Sequence, residues 1–219
     1  MIAAIVFDFD GTIVDTEIPA FDSVAEMFAA RSHELDRHRW VSFIGTRVDA
    51  FDDALTRLAA STGESYADLY AHAVQRHRML TDQAKARPGV VDLVAECRSL
   101  GIPLAVATSA SRRWVETHLD RLGLLGAFDT IVPAEEVENH KPHPEPYLTA
   151  CARLGAIPTR CVAIEDSPTG VLSAAAAGLL TLGVPGPLTA HLELHGADVV
   201  LDSLAAVTVG WLGRTLADR

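Results

Sequence analysis

The chain has 219 residues, 49% of them hydrophobic and 21% charged, which is room for one large domain or a core with a smaller insertion. Its formal net charge of −11 argues against nucleic acid or an anionic membrane as the main partner, though not against a phosphorylated small molecule, which needs only one local cluster of donors. The first apolar run, residues 2–7, is far shorter than the roughly 20 residues of a membrane span.

That run also lacks a basic leader and a small-residue cleavage site, so it does not read as a signal peptide. The three cysteines, Cys97, Cys151 and Cys161, are scattered and form no CxxC pair. They are expected to be buried free thiols in a reducing cytoplasm. Basic residues are lopsided, with 16 Arg against two Lys, Lys85 and Lys141. A Lys in a motif-like setting is therefore notable, because Arg does not replace a compact point charge.

In chain order, residues 2–9 read as a fully buried strand. Further strands are expected at 104–108, 130–133, 161–164 and 180–184, with a weaker one at 198–201. Continuous Val, Ile, Leu and Ala runs bounded by turn residues suit a parallel sheet covered on both faces. Helical patterns over 90–100, 111–122, 144–154 and 169–177 stop at Gly101, Gly123, Gly155 and Gly178, where a C-cap belongs. Alternating strands and helices predict an α/β fold, a Rossmann-like doubly wound parallel sheet.

The interval after the first strand breaks this rhythm. Its patterns are helical, over 20–31, 48–61 and 65–84, and it is too long for one crossover. It reads as an inserted helical domain, with "RPGV" at 87–90 marking re-entry. The expected division is 1–15 and 86–219 for a discontinuous α/β core and 16–85 for the insertion.

Ligands of open α/β sheets bind beyond the carboxyl ends of the strands. There the first strand supplies Asp8, Asp10, Gly11 and Thr12, and the second supplies Thr108 and Ser109. "ENHKPHPEPY", with Lys141, follows the third, and the fourth ends in "EDSPTG", with Glu165, Asp166 and Ser167. Asp8, Asp10 and Asp166 are hard oxygen donors that suit magnesium, which takes one or two carboxylates plus a substrate phosphate. Two neighbouring carboxylates otherwise repel, and a divalent cation removes that problem. Lys141 adds a second positive charge. Thr108 or Ser109 offers a hydroxyl, and the amides of Ser109 and Ala110 open a helix, where an anion is favoured. One of the paired acids can attack phosphorus while the other handles the proton of the leaving alkoxide and then of water.

"DFDGT", Thr108–Ser109, Lys141 in "KPHPEPY" and "EDSPTG" resemble, in order and spacing, the four motifs of the haloacid dehalogenase superfamily. The likeness spans essentially the whole core, and the insertion resembles that superfamily's helical cap. The nearest branch is the β-phosphoglucomutase-like and sugar-phosphate phosphatase group. The resemblance implies Asp8 as nucleophile, Asp10 as general acid and base, and Thr108 and Lys141 as phosphate binders. It implies magnesium held by Asp8, the Asp10 backbone carbonyl and Asp166, with Glu165 in the outer shell. In the cap, "FIGTRVDAF" resembles a substrate-specificity loop. There Gly45 would permit close approach, and Arg47 reads either as a substrate contact or as a solvated cap residue.

Asp10 favours phosphoryl transfer over dehalogenation, because only an alkoxide leaving group needs that acid. The mutases of the branch carry a His and a basic residue where this chain has Ala20 and Ile44, so water is the expected acceptor. The expected enzyme is a monomeric, cytoplasmic, magnesium-dependent phosphatase of a small phosphorylated metabolite, a sugar or polyol phosphate. A phosphomutase is the alternative, and a non-enzymatic phospho-acceptor protein a further one. His140 and His143, flanking Lys141, read as surface residues. Asp15 reads as a capping or hinge residue, and Glu135, Glu136 and Glu138 as a solvated face.

Overall fold

The computed structural model describes residues 1–44 and 49–219. Six parallel strands lie in the order β3-β2-β1-β4-β5-β6. They are β1 (Ala4–Phe7), β2 (Leu104–Ala107), β3 (Thr130–Val132), β4 (Cys161–Glu165), β5 (Leu180–Gly183) and β6 (Val199–Val200). Each predicted strand forms, generally shorter than its apolar run. The first ends at Phe7, one residue before Asp8.

Every residue of β1 is buried. Alternation sends Ile5 and Phe7 into one apolar layer and Ala4 and Val6 into the other. Helices cover both faces, so β1 has no solvated side, and its run is continuous rather than alternating. The flanking helices are α5 (Val90–Ser99), α6 (Arg112–Arg121), α7 (Glu145–Arg153), α8 (Pro168–Ala176) and α9 (Val209–Ala217). Gly101, Gly123, Gly155 and Gly178 all adopt positive φ just past the first four. The last helix has no counterpart in the sequence reading. It lays Val209, Trp211, Leu212 and Leu216 against the core, with only Leu212 fully buried.

Between β1 and β2 lie α1 (Glu17–Ala29), α2 (Arg37–Phe43), α3 (Ala50–Thr62) and α4 (Tyr66–Thr81). They bury an apolar cluster of their own, including Val24, Met27, Phe28, Trp40, Leu55, Leu58 and Leu69. The patterns predict three helices, and four are found among the described residues. The seven-residue α2 buries only Trp40, and it starts where Asp36 caps the Arg39 amide.

The chain runs outward from β1 through β2 to β3, then crosses back to place β4 on the other side of β1. The topological switch point thus lies between β1 and β4. Phe7 is level with Val106 on one side and Ile164 on the other. One step on, Asp8 and Glu165 stand side by side, and the Asp8 amide donates to the Ile164 carbonyl at 2.9 Å.

Candidate active site

Lys141 arrives from beyond β3 and reaches across to the centre of the sheet. Its Nζ lies 2.5 Å from Asp8 Oδ1 and 2.6 Å from Glu165 Oε1, with its side chain only 5% exposed. Glu165 is fully buried and both its oxygens are used. Oε1 also accepts from the Tyr147 hydroxyl at 2.8 Å, and Oε2 accepts from the Asp166 and Ser167 amides and the Ser167 hydroxyl. Saturated this way, Glu165 is a fixed post that holds Lys141 against Asp8. A Cβ on Gly170 would sit 1.8 Å from Glu165 Oε1, so only glycine leaves room for that carboxylate.

Asp166, at the end of β4, accepts from Thr12 Oγ1 at 3.1 Å. Gly11 has φ +77°, and a Cβ there would lie 2.1 Å from Asp166 Oδ2. The turn after β1 therefore needs glycine for its backbone and for the close approach of Asp166. Arg87 ties this turn to the end of β5. Its guanidinium donates to the carbonyls of Gly11, Val184 and Pro185, and its amide donates to the Ile13 carbonyl.

Asp10 faces the helical segment. Its Oδ1 accepts from Trp114 Nε1 at 2.9 Å, and Thr16 stands beside it on the pocket wall. Thr108 is buried, and its hydroxyl accepts from the Ala110 amide at 3.0 Å, while Ser109 is exposed. A pocket of about 490 Å³ opens beside Asp10. Thr16, Glu17, Ala20, His77 and Arg78 line it from the helical segment, and Ser109, Ser111 and Trp114 from the sheet side. Among the described residues, Arg78 makes no ion pair there.

The electrostatics are those of crowded acids. Burial pushes Asp8 up to about 8 against the pull of Lys141. Burial, then the neighbouring Asp8 and Glu165, raises Asp166 well above the carboxylate range. Burial also raises Asp10, opposed by its bond to Trp114, and raises Glu17 to about 7. Burial works against the charge on Lys141, but Asp8 and Glu165 outweigh it and its pKa is raised. One ammonium against this many buried acids leaves negative charge uncompensated.

That surplus fits a divalent cation. Oxygens of Asp8, Glu165 and Asp166 lie within 4.8 Å of one another, and hard carboxylate oxygens are the donors magnesium prefers. Within the trio, Glu165 already carries five donors, so Asp8 and Asp166 have the freer oxygens.

The structure gathers Asp8, Asp10, Thr108, Ser109, Lys141, Glu165 and Asp166 at one sheet edge, while Gly45 and Arg47 lie outside the described residues. Asp15 accepts from the Ile18 amide at the start of α1, the capping role expected of it. His140 and His143 are exposed. Glu136 pairs with Arg112 and Arg153, so the acidic face around it is more tied down than a simply solvated one.

The sequence reading does not single out Trp114 or Tyr147, and it takes Thr12 and Arg87 only as turn and re-entry residues, without their partners Asp166 and Gly11. Tyr147 stands inside the quoted "KPHPEPY", where an aromatic after three prolines is a usable cue. Trp114 carries no local signal, because its partner is 104 residues away.

A parallel sheet whose switch point gathers acids around a buried lysine is the ligand-binding edge of an open α/β fold. Residues 5–184 match the haloacid dehalogenase-like hydrolase family. The chain belongs to that family, and it is a phosphatase. It is 35% identical over 207 residues to hexitol phosphatase A of Escherichia coli, covering 93% of this chain and 92% of that protein. It is 33% identical over 183 residues to the fructose-1-phosphate phosphatase YqaB of the same organism, covering 81% of this chain and 93% of that protein. The crystal structure of CbbY from Rhodobacter sphaeroides in complex with phosphate matches at 33% identity and a TM-score of 0.75, over 97% of this chain and 100% of that one. A variant of the same protein was solved with xylulose-(1,5)bisphosphate. No helix among the described residues is long and apolar enough to cross a membrane.

Proposed function

We propose that the enzyme hydrolyses a sugar or polyol phosphate through an aspartyl-phosphate on Asp8, with magnesium held by Asp8, Asp166 and the Asp10 carbonyl. The observation that carries this reading is the pairing of Asp8, gripped by Lys141, with Asp10, which faces a pocket sized for a small metabolite. The names of the relatives, hexitol and fructose-1-phosphate phosphatases, point to the same substrate class.

Asp8 attacks phosphorus, and the bond to the leaving oxygen breaks as Asp10 gives that oxygen a proton. Asp10 then takes a proton from water, which attacks the same phosphorus and frees Asp8 and inorganic phosphate. Lys141, the Thr108 hydroxyl and the backbone amides beyond β2 offset charge on the phosphoryl oxygens. When bound, the metal ion adds electrostatic stabilisation of those oxygens and neutralises the acid cluster. Residues 16–85 act as a cap that shields the site from bulk water. A soluble monomer is the simplest form consistent with this scheme.

A panel of sugar and polyol phosphates, assayed for inorganic phosphate with and without magnesium, tests the reading. We expect magnesium-dependent release that Asp8→Asn lowers by at least about 10³-fold. Absence of such release, or an active Asp8→Asn enzyme, would refute it. Conversion of a hexose 1-phosphate into its isomer, with no phosphate released, would establish the mutase instead.

A further inference from the structure

Trp114 lies on the first turn of α6, three residues after its N-cap Ser111, whose hydroxyl accepts from the Trp114 amide. Its indole N–H points at Asp10 Oδ1, 2.9 Å away. The ring is held from two directions. His118, one turn further along α6, meets it edge-on at a centroid distance of 4.2 Å and 72°. His77, on α4, lies at 5.6 Å and 38°. Burial lowers both histidines from the ordinary imidazole range; among the described residues His77 Nε2 and His118 Nδ1 are buried without a hydrogen-bond partner, the nearest acid to His118 Nδ1 being Asp82 at 3.9 Å. Both serve here as rings packed on the indole.

A proton donor to an alkoxide must reach it within about 2.6–3.2 Å, and an aspartate on a short turn has two free torsions with which to miss. A donor on a rigid ring removes one of those freedoms at a carboxylate that lines the pocket. We propose that Trp114 is a positioning residue for Asp10, aiming the acid at the leaving oxygen, and that His77 of the helical segment braces the ring in that pose. The indole keeps its proton throughout, and only Asp10 exchanges one with the substrate. This inference rests on the role of Asp10 given under the proposed function.

The test compares leaving groups through kcat/KM, which reports only the steps up to departure of the alcohol. Trp114→Phe keeps a ring and deletes the N–H. It is expected to lower kcat/KM about tenfold or more for an alkyl phosphate, and by less than about threefold for p-nitrophenyl phosphate, whose phenolate leaves without a proton. Equal losses on both substrates, or none on either, would overturn the proposal. Asp10→Asn is expected to show the same contrast more strongly. If Asp10→Asn spares the alkyl phosphate, the role of Asp10 itself fails. If only Trp114→Phe spares it, Trp114 alone is misassigned.

A second measurement does not depend on Trp114→Phe folding. With ¹⁵N-labelled tryptophan, the three indole N–H resonances of the wild-type enzyme are compared with those of Asp10→Ala. One of them, removed in Trp114→Phe where that variant folds, is expected to move, while those of Trp40 and Trp211 stay in place. No shifted indole would mean that the hydrogen bond does not exist in solution.

Discussion

Gly170 shows how much of the site depends on one missing methyl group. It stands in α8, directly against Glu165 Oε1. Through that oxygen Glu165 holds both Lys141 and Tyr147. Gly170→Ala must displace a fully buried carboxylate, and overpacking of this kind costs about 1–3 kcal/mol. It also releases Lys141 from its post. We expect the variant to fold with a lowered Tm and to lose about 100-fold in kcat, because the ammonium no longer stands at Asp8. Gly126, around which a Cβ would meet open space, is the control: Gly126→Ala should leave kcat unchanged. A Gly170→Ala enzyme of normal kcat would show that Glu165 does not position Lys141.

At the scale of elements, α4 carries the pocket's free cation. Arg78 sits in the last turn of α4, exposed and without an ion pair among the described residues, on the wall that faces Asp10. A cation so placed suits the hydroxyls or a second anionic group of a substrate held beyond the phosphate, and it touches none of the reacting groups. Arg78→Ala is therefore expected to raise KM about three- to tenfold and to leave kcat within about twofold, the mark of binding shared by ground and transition states. An equal fall in kcat, or an unchanged KM, would remove Arg78 from the substrate site.

Legibility in the sequence follows the same division. The elements of the sheet were readable because each apolar strand and each glycine stop is a local signal, and the motif segments with Asp8, Thr108 and Glu165 sit at strand ends, with Lys141 in the loop beyond β3. The fold then needs only the parallel order to bring Asp8 and Glu165 level. What could not be read are the long-range partners. Trp114 meets Asp10, Thr12 meets Asp166, and Arg87 meets Gly11 across 76 to 154 residues, and no periodicity encodes such contacts. The helical insertion was harder for another reason: α2 is seven residues long with one buried side chain, too little for a helical period to emerge.

For the whole molecule, the buried acids set a dependence of stability on pH that a divalent cation should reverse. A carboxyl whose pKa is higher folded than unfolded keeps its proton in the native state between the two values, while the unfolded chain releases it. Folding then takes up protons, and stability falls as pH rises through that window. For Asp8 the window runs from 3.8 to about 8, and for Glu17 from 4.5 to about 7. Asp166 and Asp10 push in the same direction. Lys141, raised, keeps its charge throughout this range and does not oppose the trend. At the acid end, carboxylates such as Glu136, held low by Arg112, lose their contribution as they protonate. The metal-free enzyme should thus melt highest near about pH 5 and lose several degrees by about pH 8, at about 2–4 °C per kcal/mol for a chain of this size. A cation favours the deprotonated acids, so millimolar magnesium should raise Tm far more at the alkaline end than at the acid end. Asp166→Asn should flatten the fall and abolish most of the magnesium effect. Differential scanning calorimetry across this range, with chelator or with magnesium, decides the matter. A metal-free Tm that does not fall with rising pH, or a magnesium effect equal at both ends, would show that these acids do not form the cation site.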